Sequence, residues 1–500
     1  MITWNPTRKK AIAGPWLAAV VKGRVDFGDW DVPKSITRQN TRLGRFMTVR
    51  KRSIDKVRAS RDGHEYHEAW TARKAMQLLW PDSDLTAIAV EGPSPADQAK
   101  ASTQTVEIAD LTFYYGKGHT FERASRVTFA QFKYSIAGKD KDFRATNAKK
   151  TVQKFAQAYR EFKRKYGAQA VDEKLEFQLV TNQPISESLI KAIDALAASS
   201  PRKGEVEQQA KQVQTASGLT DKVLAAFAGK LKFIGRTGNL PAAKNELASL
   251  LVDWSATSDP IAAARLGQIR NLVREKAGYA GTDRNLITRT DVLAALQIGD
   301  PRDLLPCESA LADVGKVLER QQLPEAIDRI AAARSPLLIH AAGGVGKTVF
   351  MDTLATKVAN AHEVIFFDCF GGGAYRSPED ARHLPKRGLI HIANTLAFRG
   401  LCDPMLPDSA DLQTLLSTFR RRLKQSVETI SRMMPGRGLA LFIDAIDNAE
   451  FVAGQHSEDC FPIKLLESLD TESVCLALSS SFPAGRNASQ RLTPDTMSWS

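Results

Sequence analysis

Ala341-Ala342-Gly343-Gly344-Val345-Gly346-Lys347-Thr348 follows the apolar run Pro336-Leu337-Leu338-Ile339 and precedes Val349-Phe350-Met351-Asp352-Thr353-Leu354-Ala355. The first run reads as a buried strand and the last as the opening of a helix. Strand, glycine-rich turn, Lys-Thr and helix together make the layout of a phosphate-binding loop, with Ala341 where the first glycine usually stands. Gly343, Gly344, Val345 and Gly346 would curl backbone N–H groups around phosphate oxygens. Lys347 would set a point charge on the outer phosphates, and Thr348 would hold Mg²⁺ through its hydroxyl. The helix N-terminus adds a favourable dipole.

About a hundred residues on, Gly438-Leu439-Ala440-Leu441-Phe442-Ile443-Asp444 is an apolar run ending in an acid. A strand buried on both faces would deliver Asp444 at its carboxyl end, beside the phosphate loop, where it can orient Mg²⁺ or a water on it. Asp447 is the candidate for polarising an attacking water. ATP and Mg²⁺ are the expected cofactors. Strands are expected at Leu337–His340, Val364–Asp368, Leu439–Asp444 and Val474–Leu478, with helices between, in a parallel α/β domain over residues 301–500.

A length of 500 residues implies several domains, and a net charge of +13 favours a polyanionic partner or a basic surface without one. The cysteines Cys307, Cys369, Cys402, Cys460 and Cys475 contain no C-x-x-C, so neither a zinc knuckle nor a disulfide framework is indicated. No apolar run reaches the roughly 18 residues of a membrane span. Arg8-Lys9-Lys10 before Ala11–Val21 imitates a signal peptide, but Pro15 and Trp16 interrupt the run, and a cytoplasmic protein is expected. Residues 1–60 crowd Arg38, Arg42, Arg45, Arg50, Lys51 and Arg52; a nucleic-acid-binding arm and a solvated tail fit equally well.

From residue 61 the pattern is α/β. Glu65 to Trp80 reads as a helix with Ala72, Ala75, Met76 and Leu79 on its apolar stripe. Continued backward, that stripe meets Glu68 and then Glu65. An acid on a core-facing side is costly without a partner or a metal. Strands follow at Leu85–Val90, Val106–Tyr115 and Val127–Tyr134, then a basic amphipathic helix over Ala148–Tyr166, a strand at Leu175–Thr181 and a helix over Ser186–Ala198. These make a first domain, 61–200. Residues 201–300 read as a mainly helical bridge. If the second and third strands form a hairpin, Asp110 approaches Gln131 and Lys133, which share a face two residues apart. Asp110 with an inward Glu68 would hold a hard cation, and Lys133 would orient water for attack on a phosphodiester. Glu107 faces away from Asp110 and is left out. An ordinary half-buried sheet with polar faces fits the same residues.

Two resemblances narrow these readings. The order helix acid, Asp110, Gln131-x-Lys133 is similar to the PD-(D/E)xK nuclease superfamily in its Mrr-like form. Gly63-His64-Glu65-Tyr66-His67-Glu68, Val90-Glu91-Gly92, Glu107-Ile108-Ala109-Asp110 and Gln131-Phe132-Lys133-Tyr134-Ser135 look like the nuclease domain of CBASS effectors and some antiviral STAND (Avs) proteins. The resemblance implies a restriction-endonuclease-like core with Asp110 and Lys133 catalytic, Gln131 in place of the usual acid, and Glu68 or Glu65 as the helix acid. Downstream, Ile443-Asp444-Ala445-Ile446-Asp447 resembles the STAND NTPases, which include the NACHT proteins. Val364–Asp368 lies between the two motifs in sequence, as in additional-strand P-loop ATPases. Asn448 stands where a second acid is often found, and Ser479-Ser480-Ser481 where an arginine often senses the γ-phosphate, so binding is better supported than hydrolysis. STAND proteins continue into a winged helix and a sensor array, so a truncated and a naturally short chain both remain open.

Taken together these imply an anti-phage endonuclease acting on double-stranded DNA, gated by an ATP switch that forms a homo-oligomer on a phage-derived trigger, with no membrane role. An ATP-dependent DNA-binding switch with an inactive nuclease-like domain is the alternative. A DNA-translocating restriction ATPase is a third, weakened by the lack of helicase-type motifs.

Overall fold

The computed structural model describes residues 60–80, 83–98, 109–255, 259–278, 284–311, 317–332, 335–407, 410–469, 473–481 and 495–498. The basic arm up to residue 59 and Glu107 lie outside them. All described residues belong to the unit Ala59–Ser500, an α/β assembly of two sheets, one mixed and one parallel.

The mixed sheet grows from a helix, a meander and a crossover. Residues 60–75 form helix α1, which tightens to a 3-10 turn over Met76–Leu79 and stops at Trp80 in extended conformation. Pro81 accounts for the stop, since the residue before proline avoids helical backbone. Ala72, Ala75, Met76 and Leu79 are all buried, as the stripe predicts. Strands β1 (Leu85–Val90), β2 (Leu111–Gly116) and β3 (Ala124–Lys133) run antiparallel in turn. Helix α2 (Ala145–Tyr166) buries Val152, Phe155, Tyr159 and Phe162 and leads to β4 (Leu175–Thr181), parallel to β3. The described part of β2 begins at Leu111, against an expected start at Val106. Val106–Ile108 lie outside the described residues, and at Asp110 the carboxylate takes the Phe132 N–H that a backbone carbonyl would otherwise accept.

Two further strands complete this sheet in the order β5-β4-β3-β2-β1-β6. They are β5 (Leu231–Ile234) and β6 (Leu286–Thr288), both from the segment expected to be a helical bridge. Four and three residues are too few to show a period against the helical pattern around them. Helices α3 (Leu240–Trp254) and α4 (Asp259–Ala277) lie between them in the chain. Leu247, Leu251, Trp254, Ile269 and Val273 pack into one core with Ala72, Met76, Ile88 and Phe113, so this segment is part of the first body's structure.

The second sheet has the order β11-β7-β10-β9-β8, every neighbouring pair parallel. Its strands are β7 (Leu337–His340), β8 (His362–Asp368), β9 (Gly438–Asp444), β10 (Val474–Ser480) and β11 (Asp495–Ser498). From Leu439 to Asp444 every residue of β9 is buried, as a strand covered on both faces requires. The strand that separates the two motifs in sequence, β8, stands at the sheet's edge. In space it is β10 that lies between β7 and β9. Helix α5 (Lys347–Val358) opens directly after the glycine loop. Helices α6 (Pro385–Phe398) and α7 (Leu412–Met433) bury their apolar sides with β8 and β9.

His391 of α6 is buried here, its Nδ1 accepting from the Cys307 N–H at 3.2 Å. Burial holds its imidazole down at about 4, from the usual 6.5. The unfolded chain takes up that proton near 6.5 and the folded chain only near 4. This contribution to stability is therefore full above 6.5 and is lost as pH falls through that window. The unfolding free energy from urea titration should fall further between those pH values in the native chain than in His391→Asn, by about 1–3 kcal/mol. Equal slopes would place the acid sensitivity elsewhere.

Candidate functional site

The glycine-rich loop is built by the end of β7 and the start of α5. Gly344 and Gly346 sit at φ +80° and +88°, backbone that other residues rarely adopt. A Cβ on Gly343 or Gly344 would meet no heavy atom within 4 Å, so the cradle is open on that side. Lys347 Nζ donates to Ala341 O and Ala342 O, both at 2.9 Å, and to Ser481 Oγ at 3.0 Å. Burial lowers its pKa, while Asp447 and Asp444 pull it back up.

Thr348 Oγ1 donates to Asp444 Oδ2 at 2.7 Å. Ser479 Oγ donates to Asp444 Oδ1, and the Ala445 N–H donates to Ser479 Oγ at 2.8 Å. Burial raises the Asp444 carboxyl above the ordinary range, and the two hydroxyl bonds act against that. Ala445 turns at φ +56°, which carries Asp447 into the first turn of α8 (Ile446–His456). Asp447 Oδ1 is buried and has no hydrogen-bond partner. Beside it Glu450 is pushed to about 7, by burial first and by the Asp447 charge second. All eight sequence-predicted residues of this site thus come together.

Three participants had no role assigned from the sequence. Ser479 and Ser481, at the end of β10, tie down the acid and the lysine. Arg320, from the segment ahead of β7, donates to Val345 O inside the loop. The position of Ser479-Ser480-Ser481 after an apolar strand was the available signal for the serines. For Arg320 there was none.

The second site lies where β1, β2 and β3 end side by side. Leu111 pairs with Ala130, which puts Asp110 next to Gln131. Asp110 N donates to Ala130 O at 2.9 Å, and its Oδ2 accepts from the Phe132 N–H at 2.6 Å. Burial lowers the pKa of Lys133, the Asp110 charge raises it, and Lys154 and Lys150 lower it again, so all four cations and anions share one field. Gln131 is 8% exposed and its Oε1 has no hydrogen-bond partner. Asp110, Gln131 and Lys133 are therefore brought together.

Glu68 is directed elsewhere. Its carboxylate lies 3.1 and 2.8 Å from Arg274 nitrogens and 3.4 Å from Arg270. Glu65 is engaged by Lys244, with Arg61 and Arg270 each at 3.7 Å. The partner that an acid on the core-facing stripe demanded is an arginine pair from α4. The acid on Asp110's side is instead Glu91, just past β1, whose backbone N–H donates to Asp110 O at 2.8 Å. Its Oε1 lies 3.8 Å from His67 Nδ1. The Glu91 side chain is about half exposed; partial desolvation, and then the Asp110 charge, push it up to about 7. Among the described residues no group of three or more His, Cys, Asp or Glu stands ready to hold a metal ion. Nor is any described helix long and apolar enough to cross a membrane.

No family model and no curated protein matches the chain. Among solved structures it is weakly similar to the Acinetobacter baumannii Cap4 SAVED/CARF-domain containing receptor. With the cyclic trinucleotide 3'3'3'-cAAA that receptor gives 14% identity and a TM-score of 0.28, over 76% of this chain and 61% of the receptor chain. With 2'3'3'-cAAA the TM-score is 0.27 at the same identity and coverage. A third structure of the receptor gives 16% identity and a TM-score of 0.26, over 78% of this chain and 93% of the other. This chain thus spans less than two thirds of the first two. Likenesses of this depth carry no argument about fold, ligand or activity.

Proposed function

We propose that this chain is an anti-phage effector in which an ATP-binding switch of the STAND type controls a Mg²⁺-dependent DNA endonuclease of the PD-(D/E)xK type. The observation that carries the reading is the convergence of Asp110, Gln131 and Lys133 at one end of a β1-β2-β3 meander, in a chain whose other sheet ends on a phosphate cradle joined to an acid. The defence role itself comes from the motif resemblance.

Both sites fit the groups they would take. At the cradle, Thr348 and Asp444 would hold Mg²⁺, and the unpartnered Asp447 Oδ1 would accept from water. Lys347 already gathers three oxygens, and phosphate oxygens would replace them. At the meander, Asp110 and the buried, unpartnered Gln131 carbonyl offer hard oxygen ligands. The cation, when bound there, would stabilise charge building on the scissile phosphate. Lys133 would orient the attacking water. Lys150 and Lys154, both exposed on α2 and within the field of Lys133, would attract the DNA backbone.

A second reading is favoured by one observation: among the described residues no three His, Cys, Asp or Glu side chains are preformed to hold a metal ion. It makes the mixed-sheet body a DNA-binding element without cleavage, still under ATP control.

Cleavage of supercoiled plasmid with Mg²⁺ and ATP tests the first reading. Lys133→Ala should lower the rate by about 10²–10⁴-fold, the range for losing a proton-transfer or water-positioning group. Asp110→Ala should abolish cutting, and Lys347→Ala should remove its dependence on ATP. Cutting that survives Asp110→Ala means the site is misplaced. A native chain that retards DNA in a gel and never cuts it supports the second reading.

A further inference from the structure

The acid that completes the cleavage site with Asp110 lies on neither position the helix offers. We propose that Glu91 is the second carboxylate, holding a divalent cation together with Asp110 and the Gln131 side-chain carbonyl. This rests on the nuclease reading above and names a ligand that reading left open.

Three observations carry it. The first is backbone geometry. Glu91 adopts φ +54°, a left-handed conformation unusual outside glycine, and Gly92 follows at φ +118°. The Glu91 N–H is locked to Asp110 O, so the chain leaves β1 by a sharp turn at the Asp110 end. A strained non-glycine residue held by its neighbours is a frequent mark of a functional position. The second is that the competing acids are already neutralised. Glu68 faces Arg270 and Arg274, and Glu65 faces Lys244, Arg61 and Arg270. A cation there would have to displace two or three positive side chains. The third is Gln131 Oε1, more than nine-tenths buried and unpartnered, next to Asp110 across the β2–β3 ladder. A buried amide carbonyl without a donor calls for a ligand that accepts lone pairs. Around Glu91 the nearest titratable groups are His67 and Asp110, with Lys133 beyond Asp110. Among the described residues the ion-pair partner of Glu91 is the imidazole of His67, at 3.8 Å.

The test uses the full chain, with Mn²⁺ alone as probe, titrated by calorimetry, and plasmid cleavage in parallel. The calorimetry alone is done in an Asp444→Asn background, so that the glycine loop does not contribute to the Mn²⁺ titration, and cleavage is measured with Asp444 intact. Glu91→Gln should weaken Mn²⁺ at least 10-fold and slow cleavage at least 100-fold. Glu91→Gly should do the same while relieving the left-handed backbone, so its loss of metal cannot be put down to failure to fold. Glu68→Gln should lower the thermal midpoint and leave Mn²⁺ affinity in place. Unchanged Mn²⁺ affinity in both Glu91 variants, or loss in Glu68→Gln alone, overturns the assignment. If Asp110→Ala abolishes cutting and Glu91→Gln does not, the nuclease reading stands and this one fails. If the native chain never cuts, the Mn²⁺ titration still decides Glu91 by itself.

Discussion

Lys347→Ala is expected to weaken ATP binding about 100-fold, equivalent to about 2.7 kcal/mol. The ammonium is the one side chain whose three donors converge on the loop, reaching Ala341 O, Ala342 O and Ser481 Oγ. Each is a charge-assisted bond of a kind worth about 1.5–3 kcal/mol when its geometry is good. If nucleotide binds as proposed, these acceptors would give way to phosphate oxygens, and the net gain would be that of exchanging neutral oxygens for anionic ones. Alanine removes the exchange altogether and leaves the helix dipole and backbone N–H groups as the remaining anchors. Fluorescent-nucleotide titration with Mg²⁺ measures it. A dissociation constant within threefold of the native chain's would show that the loop does not take phosphate as its sequence reads. Thr348→Ala makes a useful companion. It cuts the 2.7 Å bond to Asp444, and its effect should appear only when Mg²⁺ accompanies the nucleotide.

Much of this architecture could be read ahead because the decisive elements carry local signatures. β7 and β9 are apolar throughout, and the glycines between β7 and α5 need conformations that few other residues take. Asp444 ends a strand whose apolar run marks it as buried on both faces, and that end lies beside the loop, where Thr348 reaches it. Glu68 shows the opposite case. Its position on the stripe correctly announced a partner, but a partner can be a metal or an arginine, and Arg270 and Arg274 lie some two hundred residues away in sequence. Glu91 stood inside one of the stretches that carry the nuclease resemblance, Val90-Glu91-Gly92, but no role for it could be read from the sequence. Its backbone angle and its contact with Asp110 exist only once β1 and β2 have paired. β5, β6 and β11 were invisible for a related reason. Strands of three or four residues are stabilised by the sheet that receives them, and their own sequence supplies little of that.

Arg422→Ala is expected to destabilise the folded chain by about 3–5 kcal/mol, combining two lost charge-assisted bonds with a cavity. This arginine of α7 is fully buried. Its Nη2 donates to Asp253 O and to Pro404 O, the latter at 3.0 Å, and Nη1 reaches Gln425 Oε1 at 3.4 Å. Asp253 lies in the last turn of α3, where unpaired carbonyls and the helix dipole both favour a cation. The same helix end is held twice more. Leu406 N donates to Trp254 O at 2.9 Å, and Trp80 stands edge-on to both Trp254 and Phe398, with centroids 5.8 and 5.6 Å away. Arg422 therefore joins the body of the mixed sheet to the helices of the parallel one. At the other end of α6, Arg382 donates to Asp368 O at 2.8 Å, and Asp368 is the β8 neighbour of Asp444. A continuous run of packed groups thus extends from the phosphate loop to Trp80 and α1. Arg422→Ala should lower the urea midpoint and speed amide exchange at Leu406 and at the end of α3, while exchange in β9 stays slow. A loss below about 1 kcal/mol would mean that water replaces the guanidinium at this junction, and that the two sheets are held together chiefly by Trp80, Trp254 and Phe398.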